Sequence, residues 1–188
     1  MGAGRRAVVL GGVSELRRVI AERLAGAGHR VTELEAGAAP PELDAEILVH
    51  LDASLSRSLA HVDPAPPFLE VRATFTVIER AARAMELGGF GRIVHLRVAG
   101  PASTESSPAA AAMATFELAG TLGVLQETAR RLAPLGITLN VVTLMTSSGV
   151  PVARTATCAE VAALVEMLCH DQAGFTTAQS FSMVIGLG

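Results

Sequence analysis

The sequence predicts an α/β protein in which residues 1–188 form a single domain around one doubly wound parallel sheet of about six strands. Three observations carry this expectation. Apolar runs of strand length alternate with longer runs of helical periodicity along the whole chain. Inner candidates such as AEILVHLD are apolar on consecutive residues, as strands covered on both faces must be. Half of the 188 residues are hydrophobic and only 18% are charged, so one domain can bury a substantial core.

The elements follow in order. RRAVVLGG reads as a buried strand ending in glycine, and Ser14-Glu15-Leu16 opens a helix to about Ala27. That helix spaces Leu16, Val19, Ile20 and Leu24 along one face. HRVTELE is the second strand and AEILVHLD the third. A helix from about Phe68 to Leu87 is stopped by Gly88-Gly89. GRIVHLR is the fourth strand, and a long helix occupies about Ala109 to Ala133. GITLNVVTL, AEVAALVEMLCHD and SFSMVIGLG read as the fifth strand, the last helix and the sixth strand. The long helix is apolar nearly all round, through Ala110, Met113, Phe116, Leu118, Leu122 and Leu125. One face covers the sheet, and the other is expected to meet another subunit.

Composition excludes several classes of function. A net charge of −3 gives no electrostatic footprint for nucleic acid or an anionic membrane. All fifteen basic residues are arginine; the chain has no lysine, no tyrosine and no tryptophan. The start, MGAGRRAVVLGG, lacks the apolar core of an export signal. The most apolar stretch, Ala109 to Leu125, is interrupted by Glu117 and makes a poor membrane span. Cys158 and Cys169 lie about 16 Å apart along one predicted helix, too far to pair with each other. Unpaired thiols without an export signal point to the cytoplasm.

Several strings resemble the short-chain dehydrogenases/reductases, especially the 3-oxoacyl-acyl-carrier-protein reductases. They are VVLGGVSELRRVIAERLAGAGHRV, DAEILVHLDAS, TFTVIERAARAMELGGFGRIVHLRVAG, ARRLAPLGITLNVV and AEVAALVEMLCHDQAGFTTAQSFSMVIGLG, and together they cover nearly the whole chain in the family's order. The resemblance implies a Rossmann-like fold. It also implies a first turn of the form TGxxxGxG that brings the backbone against a dinucleotide pyrophosphate.

Here that turn reads LGGVSELR, so Gly11 and Gly12 are followed by Glu15 and Arg17 where the family has glycines. Side chains at those positions fill space the phosphates need, and Glu15 adds a repelling charge while itself complementing the helix dipole. No cofactor is therefore expected. After the second strand only AGAAPPELD intervenes before the third, about ten residues spanning at most ~35 Å, too few for the family's additional helix and strand. The family's NNAG reads His50-Leu51-Asp52-Ala53.

The resemblance also implies a catalytic tyrosine and lysine on the long helix, a serine at the end of the preceding strand, and an asparagine on the helix before it. These positions fall on Ala114, Leu118, Arg97 and Glu70. A chain without tyrosine or lysine cannot supply the pair under any alignment. The Pro-Gly after the fifth strand reads Leu144-Met145, and only Thr146 to Cys158 remain for the substrate lid.

The remaining polar residues offer one alternative. Ligands in such sheets sit beyond the carboxyl ends of strands, where His50, Asp52, His95 and Arg97 fall. Such a cluster could hold a metal or do acid–base chemistry. Spacing alone does not show that the side chains converge, so satisfied polar groups and no metal are the simpler expectation. Ser103, Ser106 and Ser107 in PASTESSP lack a nucleophile turn, and His29, His61 and His170 read as surface or loop residues.

The sequence thus points to a non-catalytic reductase homologue acting as a structural or regulatory subunit beside an active reductase, in acyl or polyketide metabolism by resemblance. Partnering or self-association is expected through the 109–133 helix and the 174–188 segment. The alternatives are an isomerase, dehydratase or cyclase using the strand-end cluster, or an NAD(P)-dependent oxidoreductase with a non-standard site.

Overall fold

Strand β1 (Arg6–Gly11) alternates its side chains between two apolar layers, which is why five of its six residues are buried. A computed structural model describes residues 4–12, 14–35, 43–52, 67–99, 108–146 and 155–185. Helix α1 (Ser14–Gly26) follows, then β2 (Arg30–Leu34), β3 (Ile47–Leu51), α2 (Pro67–Gly88), β4 (Gly91–Ala99), α3 (Pro108–Leu132), β5 (Ile137–Thr146), α4 (Cys158–Cys169) and β6 (Ser180–Ile185). The six strands form one sheet in the order β2-β1-β3-β4-β5-β6, with every pairing parallel.

The helices cover both faces, as parallel strands require. On one face α1 contributes Leu16, Ile20 and Leu24, and α4 contributes Val161, Val165 and Leu168, to a core with Val9, Ile47, Val49, Val94 and Val142. On the other, Ile78 and Met85 of α2 and Leu125 and Ala129 of α3 pack over Val8, Leu48, Ile93 and Leu139. Alternate residues of β3 and β4 feed the two layers, which explains why all of β3 is buried.

The elements match the sequence reading, with small differences at the ends. Helices α2 and α3 begin on Pro67 and Pro108, one residue earlier than expected, because proline lacks only an N–H that the first turn leaves unused anyway. Helix α4 begins at Cys158 because Thr157 caps it: its hydroxyl accepts from the Glu160 N–H at 3.3 Å, and the Glu160 carboxylate accepts from the Thr157 N–H at 2.9 Å. Thr157→Ala should therefore cost about 1 kcal/mol in urea unfolding.

Between β2 and β3 lie only residues 35–46, and among the described residues no further strand joins the sheet between them in the chain. Residues 36–42 of that link, Ala53, His61, the PASTESSP serines and most of the shortened lid lie outside the described residues, as do residues 186–188.

Candidate functional site

The turn after β1 is filled by the protein itself. Gly11 has φ +147°, and a methyl group there would meet the Leu51 carbonyl oxygen at 2.4 Å and the Leu51 Cβ at 2.5 Å. The one glycine that lines up with the family motif is thus required by the close approach of β3, independently of any ligand. Arg17 folds back over the turn. Its guanidinium donates to the Gly11 carbonyl at 2.5 Å and pairs through Nε with Glu33 of β2 at 3.3 Å. Gly12 is exposed, and Glu15 stands exposed in the first turn of α1, where its charge complements the helix dipole.

Glu33 was not singled out from sequence, because its role depends on the β1–β2 register. It lies opposite Val9, two residues before the turn, and an acidic residue near this point often receives a cofactor ribose in dinucleotide-binding sheets. Here Arg17 holds it.

Arg97 and Leu118, matched to the family's serine and lysine, are neighbours: an Arg97 Nη1 donates to the Leu118 carbonyl at 3.5 Å. Ala114 lies one turn earlier on α3, and Glu70 lies on α2; their side chains are outside the described ones.

The structure brings the strand-end residues together. His50 is opposite His95 in the parallel register, and the residues two further along, Asp52 and Arg97, share their face. The imidazoles stack at 5.1 Å between centroids, with Nδ1 to Nδ1 at 3.1 Å. His95 Nε2 lies 3.7 Å from an Asp52 carboxylate oxygen, beyond hydrogen-bond reach, and has no hydrogen-bond partner. His50 is 9% exposed and His95 0%.

Burial pushes the proton affinity of His50 down to about 4, with the Asp52 charge opposing. Burial, followed by the charges of His50 and Arg97, pushes His95 well below the ordinary histidine value. Both rings are therefore neutral at neutral pH.

Three further residues were missed. Thr143 is buried beside Arg97 on β5, with no hydrogen-bond partner for its hydroxyl. Thr74 and Thr121 are buried on α2 and α3, one turn before Ile78 and Leu125 on the stripes that face the sheet. The available signal was a threonine continuing an apolar helical stripe. Thr143 thus shares the sheet face of Arg97, and Thr74 and Thr121 lie on the two helices that cover that face.

Other candidates are structural. Burial pushes the Cys169 thiol up to about 12 and that of Cys158 up as well, so neither is activated. His29 is half-buried, its Nδ1 accepting from the Arg5 N–H at 3.4 Å, and His170 is exposed and accepts from the Gln172 N–H. Among the described residues, no group of three His, Cys, Asp or Glu side chains is arranged for a metal ion, and no helix is long and apolar enough to cross a membrane. A cavity of about 680 Å³ lies at the opposite end of the sheet, lined by Arg6, Asp44, Glu46, Arg80, Arg83 and Met85 among others.

Neither a protein-family description nor a curated protein sequence matches the chain. Solved structures do. An NADPH-dependent reductase involved in bacilysin biosynthesis superposes with a TM-score of 0.69 at 18% identity, covering 96% of this chain and 98% of the other. A 3-oxoacyl-(acyl-carrier-protein) reductase from Agrobacterium tumefaciens with NADP bound gives 0.69 at 19%, covering 98% and 94%. A short-chain dehydrogenase/reductase from Serratia marcescens gives 0.65 at 26%, covering 97% and 96%. The fold is that of the short-chain dehydrogenases/reductases. Within that fold, Arg17, His50 and Asp52 lie at or near the carboxyl ends of β1 and β3, the edge where open α/β sheets receive their ligands.

Proposed function

We propose that this chain is a non-catalytic short-chain dehydrogenase/reductase homologue that serves as a structural or regulatory subunit beside an active reductase. The observation that carries this reading is Arg17. Its guanidinium bridges the Gly11 carbonyl and the Glu33 carboxylate, across the place where this fold receives a dinucleotide. A cofactor would have to displace both contacts and face Glu15. The sequence also contains neither a phenol nor a primary-amine side chain for the family's proton transfer to a carbonyl.

The surface of α3 supports the subunit role. Phe116 is 67% exposed and Val124 50%, with Gly120 and Gly123 open between them. An aromatic residue beside a shallow glycine depression suits a helix-to-helix contact with a partner of the same fold. The terminal 174–188 segment, whose strand β6 is a sheet edge, is the second proposed contact. The partner's substrate class is an acyl or polyketide thioester, taken from the 3-oxoacyl reductase neighbour. Cytoplasmic residence goes with this role.

The test is co-expression with reductase homologues from the source cell, followed by native mass spectrometry and titration with NADPH. A mixed complex is expected, and the chain on its own should give no NADPH fluorescence change at micromolar concentrations. Phe116→Glu should weaken the complex by about 2 kcal/mol, or roughly thirtyfold. A chain that stays monomeric with every homologue, or that binds NADPH alone at micromolar levels, contradicts the proposal.

A further inference from the structure

The cavity of about 680 Å³ lies by the amino ends of β1, β3 and β4, opposite the edge where this fold receives a dinucleotide. Its volume falls within the roughly 300–1,000 Å³ of small-molecule sites. Leu43 and Met85, both buried, supply apolar lining together with Ala84 and Phe90. Arg80, Arg83, Ala84 and Leu87 follow one another at helical spacing, so a single stripe of α2 faces the space. Leu87 in that stripe is 93% exposed, an apolar side chain that the fold itself leaves uncovered.

The charges lining the cavity do not balance. Asp44 pairs with Arg6 at 3.1 Å, and Glu46 accepts from the Arg5 guanidinium at 3.0 Å and from the Arg6 N–H at 3.1 Å. Arg5 also lies over the Phe90 ring, 3.7 Å from its centre. The two carboxylates are thereby taken up by Arg5 and Arg6. Among the described residues, neither Arg80 nor Arg83 has a hydrogen-bond or ion-pair partner. Arg80 is half-buried, so its charge is partly withdrawn from water with nothing set against it. Glu79 and Glu86 of the same helix are exposed and do not line the space. Three arginines facing two carboxylates leave the lining one positive charge, which a monoanion neutralises and a dianion overshoots. The planar fork of a guanidinium matches a carboxylate through two N–H donors.

We infer that this cavity binds an amphiphilic monocarboxylate, its head on Arg80 and Arg83 and its hydrocarbon body against Leu43, Ala84, Met85 and Leu87. The site is independent of partnering. None of its residues belongs to α3 or to the 174–188 segment, so an occupied cavity leaves both proposed contacts open.

Octanoate, titrated into the full chain carrying ¹³C-labelled methionine methyls, tests this. The Met85 signal, identified by its loss in Met85→Leu, should shift with a dissociation constant below about 1 mM. Arg80→Gln and Arg83→Gln together should weaken binding roughly tenfold or more while the unfolding midpoint holds. Octanol, with the same tail and no charge, should bind at least about tenfold more weakly, and octyl phosphate no more tightly than octanoate. Ala84→Leu keeps both arginines but fills the space, and should abolish the shift. An unmoved Met85 signal at about 10 mM octanoate, octanol bound as well as octanoate, octyl phosphate bound more tightly, or affinity unchanged by either set of substitutions overturns the proposal. Because no arm uses NADPH or a reductase, this site can fail while the subunit reading stands, and the reverse.

Discussion

Acidification from neutral pH to about pH 4 is expected to remove roughly 3 kcal/mol of stability through His50 alone. In the folded chain burial holds this imidazole near 4, whereas in the unfolded chain it titrates at the ordinary 6.5. Between those values the unfolded state binds a proton that the folded state refuses. The stabilisation is complete above about 6.5 and drains away as pH falls toward 4. His95, depressed in the same direction, deepens the loss. Urea unfolding across this range measures it. His50→Gln should flatten the pH dependence. An unfolding midpoint that does not move with acid in the native chain would exclude a buried neutral pair.

Gly11→Ala is expected to cost about 3 kcal/mol or more, enough to unfold a marginal domain. The added methyl lands 2.4 Å from a backbone oxygen of β3, which cannot rotate away as a side chain could, and the backbone angle of +147° is strained for any L residue. If Gly11 were retained for a phosphate, the substitution would leave the unliganded fold nearly untouched. Chemical denaturation without any nucleotide separates the two: a midpoint within error of the native chain refutes the packing role.

The architecture was legible because each element carries its own period. Leu16, Ile20 and Leu24 mark a helix face without reference to anything else, and the unbroken apolar run of β3 announces a strand covered twice. The site was legible only in part. That His50 and Asp52 share a face follows from their spacing. That His95 sits opposite His50 depends on where β4 stops sliding along β3, which nothing local to either strand determines. Arg17 drew notice in the sequence as a side chain in the turn, but its contact with Glu33 needs β2 to lie beside β1. Thr74, Thr121 and Thr143 escaped notice because a threonine within an apolar stripe looks ordinary until its neighbours are known.

One packing feature bears on how the chain is made in the cell. The apolar stripe of α1, near the start of the chain, is covered by α4, and Arg23 of α1 pairs with Glu166 of α4. During translation the first helix therefore emerges long before its cover exists, holding Leu16, Ile20 and Leu24 open to water or to passing hydrophobic surfaces. Maturation can finish only after α4 has been made. A nascent polypeptide of this design should lean on holding chaperones at the ribosome, and premature stops before residue 158 should yield protease-sensitive fragments rather than a smaller working domain.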